Sequence, residues 1–496
     1  MKICELLKKV SYQVICGSDQ AEVTGISKDN RKAAAGDLFL CISGTRFDTH
    51  EESIIAALAE KGVKVFVTEK EISLPEGVDC TVIRVKNTRE AGAYLYSAWY
   101  QDPAEKMTMI AITGSKGKTT TTHMLGAILE KAGLKVGTIG TNGAIFNGEV
   151  HELANTTPDF DEAQKYLREM ADSGVQACVF EVSSQGMKYH RVDGIEFDYG
   201  IFMNIQTGDH IGPNEHESFE DYIYWKAQVV NHSRLAFIHS DDEFHEDFME
   251  LVTCPHEFFG SGEEADYRAF DIEKTFDEEE DQPGISFKTA GKVEDSFWLN
   301  LPGDFNVWNA LAAIAVADHM QIPVSAMKEA LSTMHIKGRD DIVYKGKFSV
   351  CVDFAHNGAS AWHHLQALRE YRPKRLVCVF GADGNRSVGR RHGMGEAAGK
   401  LADFSIVTSG HNRWETFEAI LEDIKVGLHR AEHPEYIAIK DRKEAIRYAI
   451  ENAQEGDLIT ILGLGHETWQ EEMGVKSPHS DTEYVKEVLR DIGLLS

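Results

Sequence analysis

The eight cysteines of this 496-residue chain include no pair with C-x-x-C spacing, and no run of about 18 consecutive apolar residues occurs. The missing cysteine pairs leave a zinc site or dithiol chemistry without support. The missing apolar run argues against a membrane-spanning helix, and the N-terminal segment MKICELLKKVSYQ lacks the continuous apolar stretch of a secretory signal. Scattered, reduced cysteines indicate a cytoplasmic protein.

Positive charge is also scarce, since 51 Lys and Arg face 80 Asp and Glu and give a formal net charge of -29. Phosphate contacts along a polymer need clustered basic residues, so this balance argues against a nucleic-acid binder or a partner of anionic membranes. A pocket for a single nucleotide needs only a few local donors and is not excluded. The hydrophobic content of 42% and charged content of 26% are typical of a soluble globular protein.

The length exceeds one ordinary hydrophobic core and predicts two or three domains. Short apolar strands alternate with helical segments, which indicates an α/β fold with parallel sheets. We predict a small mixed α/β domain at 1–105, a central domain with a phosphate loop at 106–336, and a doubly wound, Rossmann-like domain at 337–496. Ligands of such a domain lie beyond the carboxyl ends of its strands. The acidic stretch at 276–284 is predicted to be a solvated loop.

A glycine-rich turn, TGSKGKTT at 113–120, lies between a predicted strand and a predicted helix, which is the context that a nucleotide phosphate loop requires. Its glycines let backbone N–H groups surround phosphate oxygens at the positive end of the helix. Lys118 is predicted to reach the β- and γ-phosphates, and the Thr119 hydroxyl to bind Mg²⁺. Ile112 stands where the longer pattern has another glycine, and a glycine-rich turn with a surface lysine is the alternative. The candidate ATP contacts in the loop are Gly114, Ser115, Lys116, Gly117, Lys118, Thr119 and Thr120.

Three further side chains are candidates for chemistry. Glu181 ends an apolar strand, where a carboxylate is poorly solvated unless it meets a metal or a partner, so it could be a second Mg²⁺ ligand. His210 follows another strand end, and Lys226 comes later on a predicted helix. Taken alone, His210 fits a loop residue better than a ligand, and Lys226 fits a solvated surface lysine better than a catalytic one.

Several segments occur in a set order along the chain. The central segments are TGSKGKTT at 113–120, ANTTPD at 154–159, EVSSQGMKYHRV at 181–192, FMNIQTGDH at 202–210 and YWKAQVV at 224–230. The flanking segments are TGISKDNRKAAAGDLF at 24–39, GTRFDTH at 44–50, KGRDD at 337–341, VDFAHNG at 352–358, DRKEAIRYAI at 441–450 and LGHETWQ at 464–470. Their order resembles that of the Mur ligases, which add amino acids to the UDP-N-acetylmuramoyl peptide precursor of peptidoglycan. Within this family the sequence is most similar to the MurE branch, which adds the third residue, usually meso-diaminopimelate or lysine.

The resemblance implies a role for each matching position. Lys118, His210 and Lys226 would be catalytic, and Thr119, Glu181, His210 and Lys226 would hold Mg²⁺, Lys226 as an anionic carbamate formed with CO₂. Further ATP contacts are implied for Asn309, Arg339 and Asp353. Contacts to the UDP-linked substrate are implied for Asn30, Thr156, Thr157, Ser183 and Arg191. Contacts to the incoming amino acid are implied for Arg391, His411, Arg413, Gly463 and Glu467.

The region around the incoming amino acid departs from the family pattern. The diaminopimelate branch has a D-N-P-R motif where this chain reads G-H-N-R at 410–413, so only the arginine remains. Two arginines and a carboxylate suit an amino acid with an additional carboxylate, which favours diaminopimelate over lysine. Leu464 replaces the lysine of G-K-G-H-E, Asn357 with Gly358 replaces Thr-Pro, and Asn30 replaces the serine of D-S-R.

Three functions are therefore compared. The leading hypothesis is an ATP- and Mg²⁺-dependent ligase that activates UDP-N-acetylmuramoyl-L-Ala-D-Glu as an acyl phosphate and joins it to a free diamino acid, as a monomer in the cytoplasm. The second is a Mur-like paralogue with another amine or carboxylate substrate; polyglutamate-type ligases would lack a uridine-binding first domain. The third is an inactive nucleotide-dependent binding protein, against which the joint presence of Lys118, Thr119, Glu181, His210 and Lys226 argues.

Overall fold

The structure is a computed structural model that describes residues 1–44, 48–207, 210–212, 215–277, 282–334, 336, 338, 341–432 and 434–495. The expected ATP contact Arg339 lies outside these residues. The chain divides into two compact units, one of residues 1–268 with 311–327 and the other of residues 269–310 with 328–496.

The N-terminal region forms a five-stranded sheet in the order β1-β5-β4-β3-β2, in which β1 alone runs antiparallel to its neighbour. Its elements are α1 (Ile3–Leu6), β1 (Tyr12–Cys16), β2 (Gly25–Ser27), β3 (Asp37–Leu40), α2 (Glu52–Glu60), β4 (Val65–Thr68), β5 (Thr81–Val85) and α3 (Thr88–Trp99). Leu38 and Leu40 of β3 pack with residues of α1 and α3, whereas Phe39 between them packs with Ile55 and Leu58 of α2. Side chains of a strand alternate between faces, so this apolar run is buried on both sides.

The central region of the first unit has a mostly parallel sheet in the order β13-β12-β11-β6-β10-β7-β8-β9. Its elements are β6 (Thr108–Thr113), α4 (Lys118–Lys131), β7 (Val136–Gly140), β8 (Gly143–Phe146), β9 (Glu149–His151), α5 (Phe160–Ser173), β10 (Ala177–Glu181), α6 (Ser184–Lys188), β11 (Phe197–Phe202), α7 (Phe219–Asn231), β12 (Ser233–His239), α8 (His245–Met249) and β13 (His256–Gly260). Strands β6, β7, β10 and β11 are parallel neighbours. Their carboxyl ends therefore meet at one edge of the sheet, where ligands of such sheets bind.

The chain continues through β14 (Tyr267–Asp277), β15 (Gln282–Gly291), β16 (Asp295–Leu299), α9 (Phe305–His319) and α10 (Val324–Ser332). The prediction of a loop at 276–284 is wrong where it can be compared, because β14 reaches Asp277 and β15 begins at Gln282. Residues 278–281 lie outside the described residues. Ladder hydrogen bonds join backbone groups, so an acidic composition alone does not end a strand pair.

The C-terminal region forms a six-stranded sheet in the order β17-β18-β22-β19-β20-β21, parallel except for β17. Its elements are β17 (Asp341–Lys345), β18 (Ser349–Asp353), α11 (Gly358–Arg369), β19 (Arg375–Phe380), α12 (Val388–Leu401), β20 (Phe404–Val407), α13 (Phe417–Leu428), β21 (Tyr436–Ala438), α14 (Arg442–Glu451), β22 (Asp457–Leu462), the hairpin strands β23 (Trp469–Glu472) and β24 (Val475–Pro478), and α15 (Asp481–Asp491). Cys378 and Phe380 of β19 pack against α11, α12 and α13, and Val377 and Val379 pack against α14 and α15. Helices thus cover both faces, as a doubly wound sheet requires.

The α/β fold with three sheet regions is confirmed, including the doubly wound C-terminal sheet. The domain boundaries at residues 105 and 336 stay a prediction. Within the described part of the chain, no helix has the length and apolarity needed to cross a membrane.

Candidate active site

The phosphate loop joins β6 to α4, as predicted. A Cβ at Gly114 would lie 2.8 Å from the Cβ of Met203, and Gly117 has φ 84°, so both positions require glycine. The side chain of Asn204 clamps the loop, because its Oδ1 accepts the Lys116 N–H at 2.9 Å and its Nδ2 donates to the Lys116 carbonyl at 3.1 Å. The Lys118 ammonium donates to the Gly114 carbonyl at 2.7 Å. The loop therefore has a fixed backbone and a lysine folded over it.

Glu181 lies at the end of β10, is 1% exposed, and holds the first turn of α4. Its Oε2 accepts hydrogen bonds from the hydroxyls of Thr119 at 3.0 Å and Thr141 at 2.9 Å, and its Oε1 accepts the Thr141 N–H at 3.1 Å. A Cβ at Gly140 would lie 2.2 Å from Oε1, so only glycine admits the carboxylate. The Thr141 hydroxyl also contacts that of Thr156 at 3.2 Å. Sequence reasoning missed Gly140 and Thr141, although they form a second glycine-rich strand end.

The segments at 154–159 and 181–192 meet beside this carboxylate. The Thr157 hydroxyl donates to the Glu181 carbonyl at 3.0 Å and lies 3.1 Å from the Ser183 hydroxyl. The Ser183 hydroxyl also accepts the Gly186 N–H at 3.0 Å and caps α6. Arg191 donates to the Thr157 carbonyl at 2.8 Å. The structure thus brings Thr156, Thr157, Ser183 and Arg191 together, and their contact with a UDP-linked substrate stays a prediction.

Three cations surround Asp159, which caps α5. Burial pushes the pKa of Asp159 up, but Lys28, Arg191 and Arg89 outweigh it and hold the pKa below its ordinary value. Burial and the nearby Arg89 lower the pKa of Arg191, an effect that Asp159 opposes. Lys28 pairs with Asp159 and, at 2.8 Å, with Asp161. Sequence reasoning did not single out Lys28 or Arg89, because only the fold brings these distant segments together.

Asn30 follows β2 in a turn that Lys28 ties to the start of α5. Its carbonyl accepts a hydrogen bond from the Lys61 ammonium at 3.2 Å. Asn30 is half-buried, so its side chain is accessible to a ligand.

Helix α7 carries Lys226 and the missed residue Tyr222 one turn before it. Lys226 is 2% exposed, and its Nζ lies 4.7 Å from the centroid of the Tyr222 ring. The Tyr222 hydroxyl lies 2.9 Å from the Ser115 hydroxyl of the phosphate loop. The ring of His210, which has φ 58°, lies 5.7 Å from that of Tyr222. Lys226 is therefore a buried residue beside the loop and not the solvated surface lysine of the alternative interpretation.

A second missed feature is the buried His216, which lies between α6 and α7. Its Nδ1 contacts Asp221 and its Nε2 contacts the Ser184 hydroxyl, both at 2.9 Å. Burial lowers the pKa of His216 below its ordinary value. Burial opposes ionisation of Asp221, but hydrogen bonds from Lys188 and His216 outweigh it and lower the pKa of this carboxyl to about 2. The network fixes the start of α7 against α6.

In the second unit, His411 contacts Glu467. The Glu471 N–H donates to His411 Nδ1 at 3.2 Å, which leaves the proton on Nε2 to bond Glu467 Oε2 at 2.8 Å. The Trp469 ring lies 4.3 Å from the His411 ring. Arg413 has φ 52° and donates to Asp383 at 3.3 Å. The segments around β23 contain three of the residues implied to contact the amino acid: His411, Arg413 and Glu467.

Buried Arg442 holds the strand ends beneath these residues. It donates to the carbonyls of Ser409 at 3.2 Å and Leu462 at 2.9 Å. Two further bonds of 2.8 and 2.7 Å bind the Asp481 carboxylate, which also contacts His479 at 2.8 Å. Burial alone would raise the pKa of Asp481, but Arg442 and His479 outweigh it and hold the pKa well below its ordinary value.

Arg391 has a different environment from that expected for a substrate contact. It is 3% exposed, and its guanidinium binds Glu415 at 2.6 and 2.8 Å and Asp423 at 2.8 Å. These two carboxylates already neutralise it, and the bond to Glu415 raises its pKa. Contact of Arg391 with an amino acid stays a prediction.

The other expected contacts in the second unit lie at buried strand ends and on α9. Asp353 ends β18 and accepts the Ala355 N–H at 2.7 Å. Gly463 follows β22 with φ 115° and donates to the Asp353 carbonyl at 3.1 Å. Asn309 lies on α9, and its amide donates to the Asn306 side chain at 2.9 Å.

The oxygen groups around α4 fit Mg²⁺ binding. Mg²⁺ prefers oxygen ligands and is usually held by one or two protein groups together with substrate phosphates. The Thr119 hydroxyl and the Glu181 carboxylate supply such groups. Among the described residues, no group of three or more His, Cys, Asp or Glu side chains is arranged to hold a metal ion.

Two family models and several relatives match this chain. The "Mur ligase middle domain" matches residues 112–317, and the "Mur ligase, glutamate ligase domain" matches residues 338–465. The "UDP-N-acetylmuramoyl-L-alanyl-D-glutamate--2,6-diaminopimelate ligase" of Caldanaerobacter subterraneus is 37% identical over 494 residues, which cover 99% of both chains. The enzyme of the same name from Clostridium perfringens is 35% identical and covers 95% of this chain and 96% of its own.

A solved structure of an enzyme with that name superposes with a TM-score of 0.70 over 99% of both chains, at 24% identity. This likeness shows the shared fold. The sequence relative from Caldanaerobacter subterraneus also matches nearly the whole chain. The chain therefore belongs to the Mur ligase family.

Proposed function

We propose that this enzyme uses ATP to join meso-2,6-diaminopimelate to UDP-N-acetylmuramoyl-L-alanyl-D-glutamate. One observation carries the proposal: three segments meet at one sheet edge. There, Thr119 of the nucleotide loop contacts Glu181, and Thr156 of the expected substrate segment contacts Thr141, which itself donates to Glu181. A γ-phosphate held at Thr119 would thus lie beside the carboxylate that it activates. Relatives that are named for this activity and match nearly the whole chain support the choice of substrates.

The loop residues bind and orient the nucleotide. The N-terminus of α4 and the loop N–H groups attract phosphate oxygens, and Lys118 exchanges its bonds to loop carbonyls for bonds to the β- and γ-phosphates. Thr119 and Glu181 would hold Mg²⁺, which supplies positive charge where phosphoryl transfer builds negative charge. The γ-phosphoryl passes to the substrate carboxylate and ADP leaves. The amine then attacks the acyl phosphate, and inorganic phosphate leaves with the acyl C–O bond broken.

Lys226 acts as a carbamate in this proposal. Lys226 is 2% exposed, so its amine lies at a buried position on α7. Reaction of its amine with CO₂ gives an anion that suits a neighbouring Mg²⁺. His210, whose ring lies beside the same tyrosine, is the fourth residue that we assign to Mg²⁺, after Thr119, Glu181 and Lys226.

The UDP-linked substrate is held by Asn30, Thr156, Thr157, Ser183 and Arg191. Arg191, Lys28 and Arg89 form a positive cluster in an otherwise acidic protein, which suits a diphosphate.

The incoming amino acid is held by Arg413, Glu467, His411 and Gly463, with Arg391 shaping the segment at 383–391. Arg413 suits the second carboxylate of diaminopimelate, a group that lysine lacks. Glu467, with its second oxygen bonded to His411, suits an ammonium group.

The test is phosphate release from ATP with the UDP-linked dipeptide present, in parallel with diaminopimelate, lysine, ornithine and no amine. Release that depends on both substrates, with a product of the expected mass, is the predicted result. Release with lysine but not with diaminopimelate would change the assigned amino acid substrate from diaminopimelate to lysine. No release with any amine would overturn the proposal. We also propose that the enzyme is cytoplasmic, in accord with its eight free cysteines. We propose further that it is a monomer, and light scattering measures this oligomeric state.

A further inference from the structure

Tyr222 is completely buried in the first unit and contacts three of the side chains that we assign to catalysis or ATP binding. Its hydroxyl lies 2.9 Å from the Ser115 hydroxyl, its ring centroid 4.7 Å from Lys226 Nζ, and its ring 5.7 Å from that of His210. Ser115 belongs to the phosphate loop, whereas Tyr222 and Lys226 share one face of α7, one turn apart. The Tyr222 side chain thus connects α7 to the phosphate loop at Ser115.

The hydroxyl contact fixes the middle of the loop. Ser115 Oγ accepts the Gln206 N–H at 2.9 Å in addition to its contact with Tyr222, so the serine is held from two sides. Without the tyrosine hydroxyl, a buried polar group of Ser115 loses a partner, and the loop gains freedom to relax. The loop N–H groups then lose part of their preorganisation for phosphate.

The ring contact fixes Lys226. The rigid Tyr222 ring packs against the end of the Lys226 side chain, 4.7 Å from its centroid to Nζ, and limits the positions that this end can take. The ring of the buried His216 lies 5.2 Å from the Tyr222 ring and keeps it from rotating away. One rigid side chain therefore sets the positions of Lys226 and the phosphate loop relative to each other.

We propose that Tyr222 is a positioning residue, whose hydroxyl holds the phosphate loop through Ser115 and whose ring holds Lys226, so that both act on the same ATP. The inference rests on the proposed function. Tyr222 itself touches no substrate in this proposal and acts only through these two neighbours.

Two substitutions separate the two contacts. Tyr222→Phe keeps the ring and removes the hydroxyl, so the KM for ATP rises about tenfold, the cost of one buried hydrogen bond, while kcat stays within about twofold. Tyr222→Leu also removes the ring, so kcat falls about tenfold or more in addition, because Lys226 loses its support. Tyr224→Phe on the same helix is the matched control, since Tyr224 is 44% exposed, and it leaves both constants unchanged.

Direct titration with a non-hydrolysable ATP analogue, on variants whose folding is checked by thermal unfolding, reads the loop contact without turnover. Weaker binding by folded Tyr222→Phe, with an unchanged KM for the UDP-linked dipeptide, supports the proposal. Unchanged nucleotide binding by this variant, or a fall in kcat with no change in the KM for ATP, overturns it. An inactive wild-type enzyme that still binds the analogue more tightly than Tyr222→Phe would instead overturn the proposed function and leave the loop contact standing.

Discussion

Replacement of Glu181 by Gln separates the structural and electrostatic roles of this buried carboxylate. Gln has nearly the same shape and keeps one acceptor oxygen for the Thr141 N–H. The hydroxyls of Thr119 and Thr141, which now donate to Oε2, rotate and accept from the new amide group. The bond from the Thr141 N–H thus keeps its direction and the two hydroxyl bonds survive reversed, so we expect the free energy of unfolding to change by less than about 1 kcal/mol.

The loss of charge has a much larger effect on metal binding. Loss of a residue that only hydrogen-bonds to a metal ligand weakens metal affinity about 10- to 100-fold. Because Glu181 is proposed to bind Mg²⁺ directly, the Mg²⁺ concentration for half-maximal activity should rise by at least that factor. The assay is ATP-dependent phosphate release at increasing Mg²⁺, with Glu169→Gln as the control because the Glu169 side chain lies on α5 and is only partly buried, at 41% exposure. An unchanged Mg²⁺ requirement in Glu181→Gln would refute the assignment. A large loss of stability would refute the reasoning about the three hydrogen bonds.

Three further predictions concern Lys226, His411 and Asp481. Lys226→Ala should lose at least about 100-fold in kcat and regain part of it with added acetate, a replacement for the carbamate; full activity without acetate or bicarbonate contradicts the carbamate proposal. His411→Asn should raise the KM for diaminopimelate about three- to tenfold and leave the KM for ATP unchanged, since Glu467 loses a hydrogen bond; initial rates at varied amino acid measure this, and equal changes in both constants argue against it. The pKa of Asp481 is lowered in the folded state, so the stability that it contributes is present above the ordinary Asp pKa and lost as the pH falls. Urea unfolding should therefore show a difference between the wild type and Asp481→Asn that is largest above about pH 5 and shrinks below about pH 4, and a constant difference would contradict the shift.

Features fixed by adjacent residues were predictable from the sequence. The phosphate loop was found because β6, two glycines and the start of α4 are consecutive in the chain. Glu181 was found because a charge that ends a buried strand needs a partner. The alternation of strands and helices likewise predicted parallel sheets.

Features that depend on packing between distant segments were missed. Thr141 and Tyr222 carry no local signal, and they matter only because the sheet edge and α7 bring them to Glu181 and Ser115. The burial of Arg391 between Glu415 and Asp423 is equally invisible in the motif around it. The strands at 276–277 and 282–284 were mistaken for a loop because acidic composition was given more weight than backbone pairing.

The left-handed backbone of Arg413 affects how any mutational scan of this segment should be interpreted. At φ 52° a residue with a Cβ carries about 1–2 kcal/mol of steric cost that glycine does not. A glycine scan would therefore mix the loss of the guanidinium with relief of this cost, and the two would partly cancel in stability. Alanine keeps the cost and removes the side chain beyond Cβ, so Arg413→Ala tests the group proposed to distinguish one amino acid substrate from another without that relief.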